Sequence, residues 1–115
     1  MDIRPLSIPV FQILVSLSDR QLHGYAILRD IKLRTDGQVS LTASTLYSAV
    51  NRLLEAGWIR ESEDRPAPEL DDERRRYFAI TADGLQALRS ELWRMEWMIG
   101  TLQSKGIGPL APRDF

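Results

Sequence analysis

The stretch Thr42–Ile59, TASTLYSAVNRLLEAGWI, constrains the fold most. Thr42 is a good N-cap, because its hydroxyl can accept a hydrogen bond from a free amide of the first helical turn. Leu46, Val50 and Leu53 recur at helical spacing, with Leu54 beside Val50, and form one apolar stripe. Thr45, Ser48, Arg52 and Glu55 fall on the opposite face. Gly57 ends the helix, and Trp58-Ile59 opens an extended run. The outward face near the start is small, hydroxylic and uncharged, with Arg52 further along. Such a face enters a DNA groove without clashing and still donates hydrogen bonds. The alternative is an ordinary amphipathic core helix, and from this stretch alone the two readings balance.

The rest of the chain breaks the tie. Ser7 caps a first helix that tolerates Pro9 in its first turn, and Val10 to Leu17 is apolar on nearly every side. Such a helix is buried on more than one face. Asp19 to Gly24 is a polar turn, and Tyr25 to Arg34 is a second helix with Tyr25, Leu28 and Ile31 on one stripe. Lys32 and Arg34 in its last turn either complement the helix dipole or reach phosphate. Asp36-Gly37 ends this helix, and Val39-Ser40-Leu41 is expected to be a short strand. Trp58 to Glu63 alternates as a strand should, Asp64 to Glu73 reads as a loop, and Arg74 to Ile80 is a second strand. Three helices followed by a two-stranded hairpin is the winged form of the helix-turn-helix.

Thr81 caps a final helix. In it Leu85, Leu88, Leu92, Met95, Ile99 and Leu102 alternate in steps of three and four, a heptad seam. Trp93 and Trp97 project to one side of that seam, one turn apart. Gly106, Gly108 and Pro109 break the helix, and a loose tail is expected beyond. The expected fold is therefore mainly α with a small β-hairpin. It comprises a winged helix-turn-helix over residues 1–80, a C-terminal dimerisation helix over 81–105 and a flexible tail over 106–115.

With 115 residues, 43% of them apolar, the chain has one small core and is of a size that often completes its burial by oligomerising. The absence of Cys excludes disulfides, Cys-ligated zinc and thiol catalysis, and a single His makes a multi-histidine metal site a poor fit. No apolar run reaches the length of a membrane span and no signal-peptide layout opens the chain, so a cytoplasmic protein is expected. The formal net charge of −1 argues against broad phosphate binding, so any basic surface must be local. No glycine-rich phosphate loop, carboxylate pair, metal cluster or base-activated nucleophile suggests an enzyme, and no cofactor is expected.

The order and spacing of several motifs resemble the PadR family of bacterial transcriptional regulators, particularly its short members. They are His23-Gly24-Tyr25-Ala26-Ile27, Ser44-Thr45-Leu46-Tyr47, Arg52-Leu53, Gly57-Trp58-Ile59, Arg76-Tyr77-Phe78 and Ile80-Thr81-Ala82-Asp83-Gly84-Leu85. The resemblance spans roughly residues 7 to 100. It implies a homodimer joined through the final and first helices, here Phe11, Leu14, Leu88, Leu92, Met95, Ile99 and Leu102. It implies a third helix in the major groove of a palindromic operator in double-stranded DNA, with wings near flanking phosphates or the minor groove. It also implies repression of nearby genes, relieved by a small aromatic or cationic compound. Two features depart from the family. The wing tip, Asp64 to Glu73, is acidic where family wings commonly carry a basic sequence, and Ser44 stands where glycine is frequent.

Candidate DNA contacts are Thr42, Ser44, Thr45, Tyr47, Ser48, Asn51 and Arg52, with Arg74, Arg75 and Arg76 at the wing. Each has a structural alternative. Thr42 is better explained as a cap, Tyr47 can pack while its hydroxyl reaches a phosphate, and Arg52 can pair with Glu55 or Glu61. The three arginines can neutralise Asp71, Asp72 and Glu73. His23 caps or shapes a helix turn rather than doing chemistry. Trp93, Trp97 and Glu96 form a candidate site for a flat aromatic or cationic ligand, against plain packing. A winged-helix protein-interaction module without sequence-specific DNA binding is the alternative function, favoured by the near-neutral charge and the acidic wing tip.

Overall fold

The computed structural model describes residues 4–63 and 75–111. Four helices and three short strands follow in the order α1 Ile8–Ser16, β1 Leu22–His23, α2 Gly24–Arg34, α3 Ala43–Ala56, β2 Ile59–Ser62, β3 Tyr77–Ile80 and α4 Ala82–Ser104. Each helix opens on the side chain expected of a cap. Ser7 accepts from the Val10 amide, His23 Nδ1 from the Ala26 amide, Thr42 from the Thr45 amide and Thr81 from the Gly84 amide. Every cap fills a donor that the first turn leaves without an intrahelical partner. Gly57 closes α3 at φ 74°, a left-handed conformation that glycine adopts without a Cβ penalty.

The sheet differs from a plain hairpin. It has three antiparallel strands in the order β1-β3-β2, with Leu22 opposite Phe78 and Glu61 opposite Phe78 from the other side. The strand expected at Val39–Leu41 does not form. The Thr35 hydroxyl accepts from the Val39 amide at 3.0 Å and lies 3.2 Å from the Val39 carbonyl. The Val39 amide that a ladder would need is thereby occupied by a side chain, whose own hydrogen goes to the Ile31 carbonyl at 2.8 Å. The strand beside β3 comes instead from the turn before α2. The two wing strands are also shorter than expected, starting at Ile59 and at Tyr77. Arg74, the loop Asp64–Glu73 and the end of the tail lie outside the described residues.

The core sits between α1, α2, α3, the sheet and the first half of α4. Ile13 and Leu14 meet Ile27 and Ile31, Leu46, Val50 and Leu53, with Phe78 closing the sheet side and Leu88 the α4 side. The apolar stripe of α3 is thus the inward face, and all four of its buried residues lie on it. Leu14 and Leu88, expected at a dimer interface, are instead part of the chain's own core, and Phe11 packs half-buried against it. Core and coiled-coil positions share the same apolar spacing, which is why the pattern does not separate them.

Two polar clusters brace this core. Asp30 accepts from Ser16 Oγ at 2.7 Å, Arg20 at 3.1 Å and Arg34 at 3.3 Å, and Arg34 also donates to Gln12 and Ser16. Arg34 therefore ties α2 to α1 rather than reaching outward. Burial pushes the Asp30 carboxyl up, but its bonds to Ser16 and Arg34 and the charges of Arg34 and Arg20 outweigh this and hold it below the usual range. On α4, buried Glu91 accepts from the Leu6 amide at 3.0 Å and from Arg94, and so pins the N-terminal arm to the helix.

Candidate nucleic-acid interface

The outward face of α3 begins at its cap. Thr42 Oγ1 accepts from the Thr45 amide at 3.1 Å and donates to Thr45 Oγ1 at 3.0 Å. Thr42 is thus used up by capping, whereas the Thr45 hydroxyl, which accepts here, keeps its own hydrogen to donate outward. Ser44, Thr45, Ser48, Asn51 and Arg52 are all exposed, on the side opposite Leu46, Val50 and Leu53. Their spacing of three, four and seven puts them on one helical face. Arg52 has no ion pair among the described residues, so neither Glu55 nor Glu61 holds it. The result is a convex strip of hydroxyl, amide and guanidinium donors with no carboxylate until Glu55.

Tyr47 sits at the edge of that strip, partly exposed, and its ring lies across the start of α2. A Cβ placed on Gly24 would come 2.4 Å from the Tyr47 hydroxyl, so the absence of a side chain at Gly24 is what lets the ring lie there. Tyr47 is thus exposed at the edge of the strip rather than packed in the core, with its hydroxyl over Gly24.

At the wing the arginines do different things. Arg75 is exposed and has no ion pair among the described residues. Arg76 is engaged: it pairs with Glu61 through Nη2 at 3.0 Å and Nε at 3.2 Å, and its guanidinium carbon lies 5.2 Å from the Phe78 ring centroid. The acid that Arg76 meets is thus on the opposite strand. Sequence reasoning linked Glu61 to Arg52; only the strand register could have placed it beside Arg76.

On the far half of α4, Trp93 and Trp97 stack on each other with centroids 6.2 Å apart and planes 3° from parallel. Both are exposed, as are Glu96, Leu92, Ile99 and Leu102, while Met95 is half-buried. Because the two indoles of one helix already face each other, a flat ligand has only their outer faces to stack on. Among the described residues no three His, Cys, Asp or Glu side chains are grouped to hold a metal, and no helix is long and apolar enough to cross a membrane.

A three-helix core with its third helix exposed, a small sheet beside it and a long trailing helix defines a winged helix-turn-helix protein. Residues 13–90 match the Transcriptional regulator PadR-like family, and the chain belongs to that family, whose members are transcription regulators rather than enzymes. A search by sequence among curated proteins finds no match. Among solved structures, a transcriptional regulator from Clostridium thermocellum (Cth-833) is similar at 27% identity and TM-score 0.67, over 84% of this chain and 87% of that one. The smu.1704 protein of Streptococcus mutans is similar at 26% identity and TM-score 0.63, over 94% and 98%. Bacillus subtilis PadR, solved in complex with operator DNA, shares the fold at 21% identity and TM-score 0.60, over 94% of this chain and 52% of that one.

Proposed function

We propose that this regulator is a cytoplasmic homodimer that binds a palindromic operator in double-stranded DNA, represses genes near its own and is released by a small aromatic or cationic compound. The observation that carries the reading is the donor-rich, carboxylate-free strip of Ser44, Thr45, Ser48, Asn51 and Arg52 on an α3 whose other face is wholly buried. Arg75, exposed at the wing, supplies a phosphate contact. Support for DNA as the partner also comes from the operator complex of the Bacillus subtilis neighbour. The exposed Leu92, Ile99 and Leu102, continued by Met95, offer a second copy an apolar seam. The paired indoles with Glu96 beside them suit a planar cation.

Mobility shift with the DNA upstream of its own gene, repeated across salt concentrations, tests the reading. Half-sites about one helical turn, roughly 34–36 Å, or a multiple of it apart are expected. Arg52→Ala should cost about 1–3 kcal/mol of sequence discrimination if Arg52 forks onto a guanine. Equal binding by Arg52→Ala and by the Arg74/Arg75/Arg76→Ala triple variant would discard the site assignment. Quenching of tryptophan fluorescence by planar cationic dyes tests the ligand site. The near-neutral net charge favours a second reading, a protein-interaction module. That reading expects no sequence-dependent shift at any salt concentration.

A further inference from the structure

The ion pair between Glu61 and Arg76 spans the two strands of the wing. Glu61 is opposite Phe78 in the β2–β3 ladder, and Arg76 precedes β3, so the two side chains meet diagonally across the strands. Both Nε and Nη2 of Arg76 point at the two carboxylate oxygens. This forked arrangement is the one an arginine also uses toward a phosphate. The guanidinium is also steadied by the Phe78 ring, whose centroid lies 5.2 Å from its carbon.

The pair is not locked in. Both side chains are 47% exposed. An exposed pair of this kind is worth little against water and salt, so a competing anion can displace one partner.

We propose that Glu61 is a built-in competitor for Arg76, whose guanidinium must leave the carboxylate before it can grip a DNA phosphate. The inference rests on the DNA-binding reading above and deepens it. In the bound state the displaced carboxylate stays near the phosphate and is repelled by it. Glu61 thus subtracts from affinity, whereas Arg75, with no such partner among the described residues, contributes in full. Phosphate contacts carry no sequence information, so the subtraction is the same on every duplex.

Fluorescence anisotropy with the upstream duplex and a scrambled duplex, each titrated over a salt series, tests this. Glu61→Gln should tighten binding to both by about two- to fivefold, the worth of an exposed ion pair. It should also steepen the dependence of log affinity on log salt by up to about 0.9, one phosphate's worth. The gain should vanish when Arg76→Gln is combined with it. Glu63→Gln removes the same charge from a nearby exposed site and should gain less. Unchanged or weaker binding by Glu61→Gln overturns the proposal, since the carboxylate would then be positioning Arg76 for phosphate. So does a gain that survives in the Arg76→Gln background. Failure of both the parent and Glu61→Gln to bind either duplex at low salt removes the DNA-binding reading itself, and the inference with it.

Discussion

The two halves of α4 are built from similar residues and do opposite things. From Ala82 to Glu91 the helix belongs to the core: Gly84, Leu88 and Glu91 are buried, and Glu91 holds the N-terminal arm. From Leu92 to Ser104 no residue is buried, although Leu92, Trp93, Trp97, Met98, Ile99 and Leu102 are large and apolar. The same heptad spacing runs through both. What separates them is whether the other elements of the chain reach that far along a helix of 23 residues, about 34 Å of rise. Apolar spacing shows that a face needs a partner, and only tertiary structure shows whether the partner is in the same chain.

The largest expected effect of a single substitution is in the first half. A Cβ on Gly84 would sit 2.1 Å from the Trp58 carbonyl oxygen, a backbone atom with no rotamer to yield. Gly84→Ala should lose about 2–4 kcal/mol of stability, read by thermal or urea unfolding. Leu88→Ala should cost a similar amount, about 2–4 kcal/mol, by emptying a core position. Glu91→Gln comes next, at about 1–3 kcal/mol, because the neutral amide leaves Arg94 without its charge partner and binds the Leu6 amide less well.

The acidity of Glu91 gives a pH test of the same half. Burial pushes its carboxyl up, but the hydrogen bond from Arg94, that from the Leu6 amide and the Arg94 charge prevail and hold it below the ordinary value of 4.5. A carboxyl depressed in the folded state contributes stability above its unfolded pKa and loses it as pH falls through the folded value. The parent should therefore lose stability more steeply than Glu91→Gln as pH drops below about 4.5. Equal slopes for the two proteins would show that the arm latch carries no charge-dependent stability.

Substitutions in the second half should act on assembly rather than on the fold. Leu92→Lys with Ile99→Lys is expected to convert a dimer to a monomer by sedimentation and to remove any concentration dependence of the melting temperature. Trp97→Ala, the smallest effect, should shift the unfolding of a single subunit by no more than about 0.5 kcal/mol. A larger shift measured below the dissociation concentration would make the two halves alike and spoil the contrast.

Local chemistry was the most legible part of the fold. The caps at Ser7, His23, Thr42 and Thr81 and the left-handed Gly57 each depend on residues within one turn. The outward strip of α3 was legible for the same reason, since a period of 3.6 sorts Leu46 from Ser48 without reference to anything else. What escaped notice depends on distant partners. The two-residue strand Leu22–His23 is a strand only because Phe78 and Tyr77 lie beside it. Leu14 and Leu88 look like seam residues until α1, α3 and α4 are assembled. Arg76 finds Glu61 through strand register, which no spacing along the chain encodes.

Thr81 makes three bonds at one point. Its amide donates to the Trp58 carbonyl at 3.0 Å, its hydroxyl donates to the Gly57 carbonyl at 2.6 Å, and the same hydroxyl oxygen accepts from the Gly84 amide at 3.1 Å. The end of α3 and the root of α4 are thereby joined through one side chain. A rod of this length tilted by about 5° at its root swings its tip by about 3 Å, and the Thr81 bonds tie that root to the end of α3. Whatever grips the tip thus holds the handle of a lever whose short arm is α3.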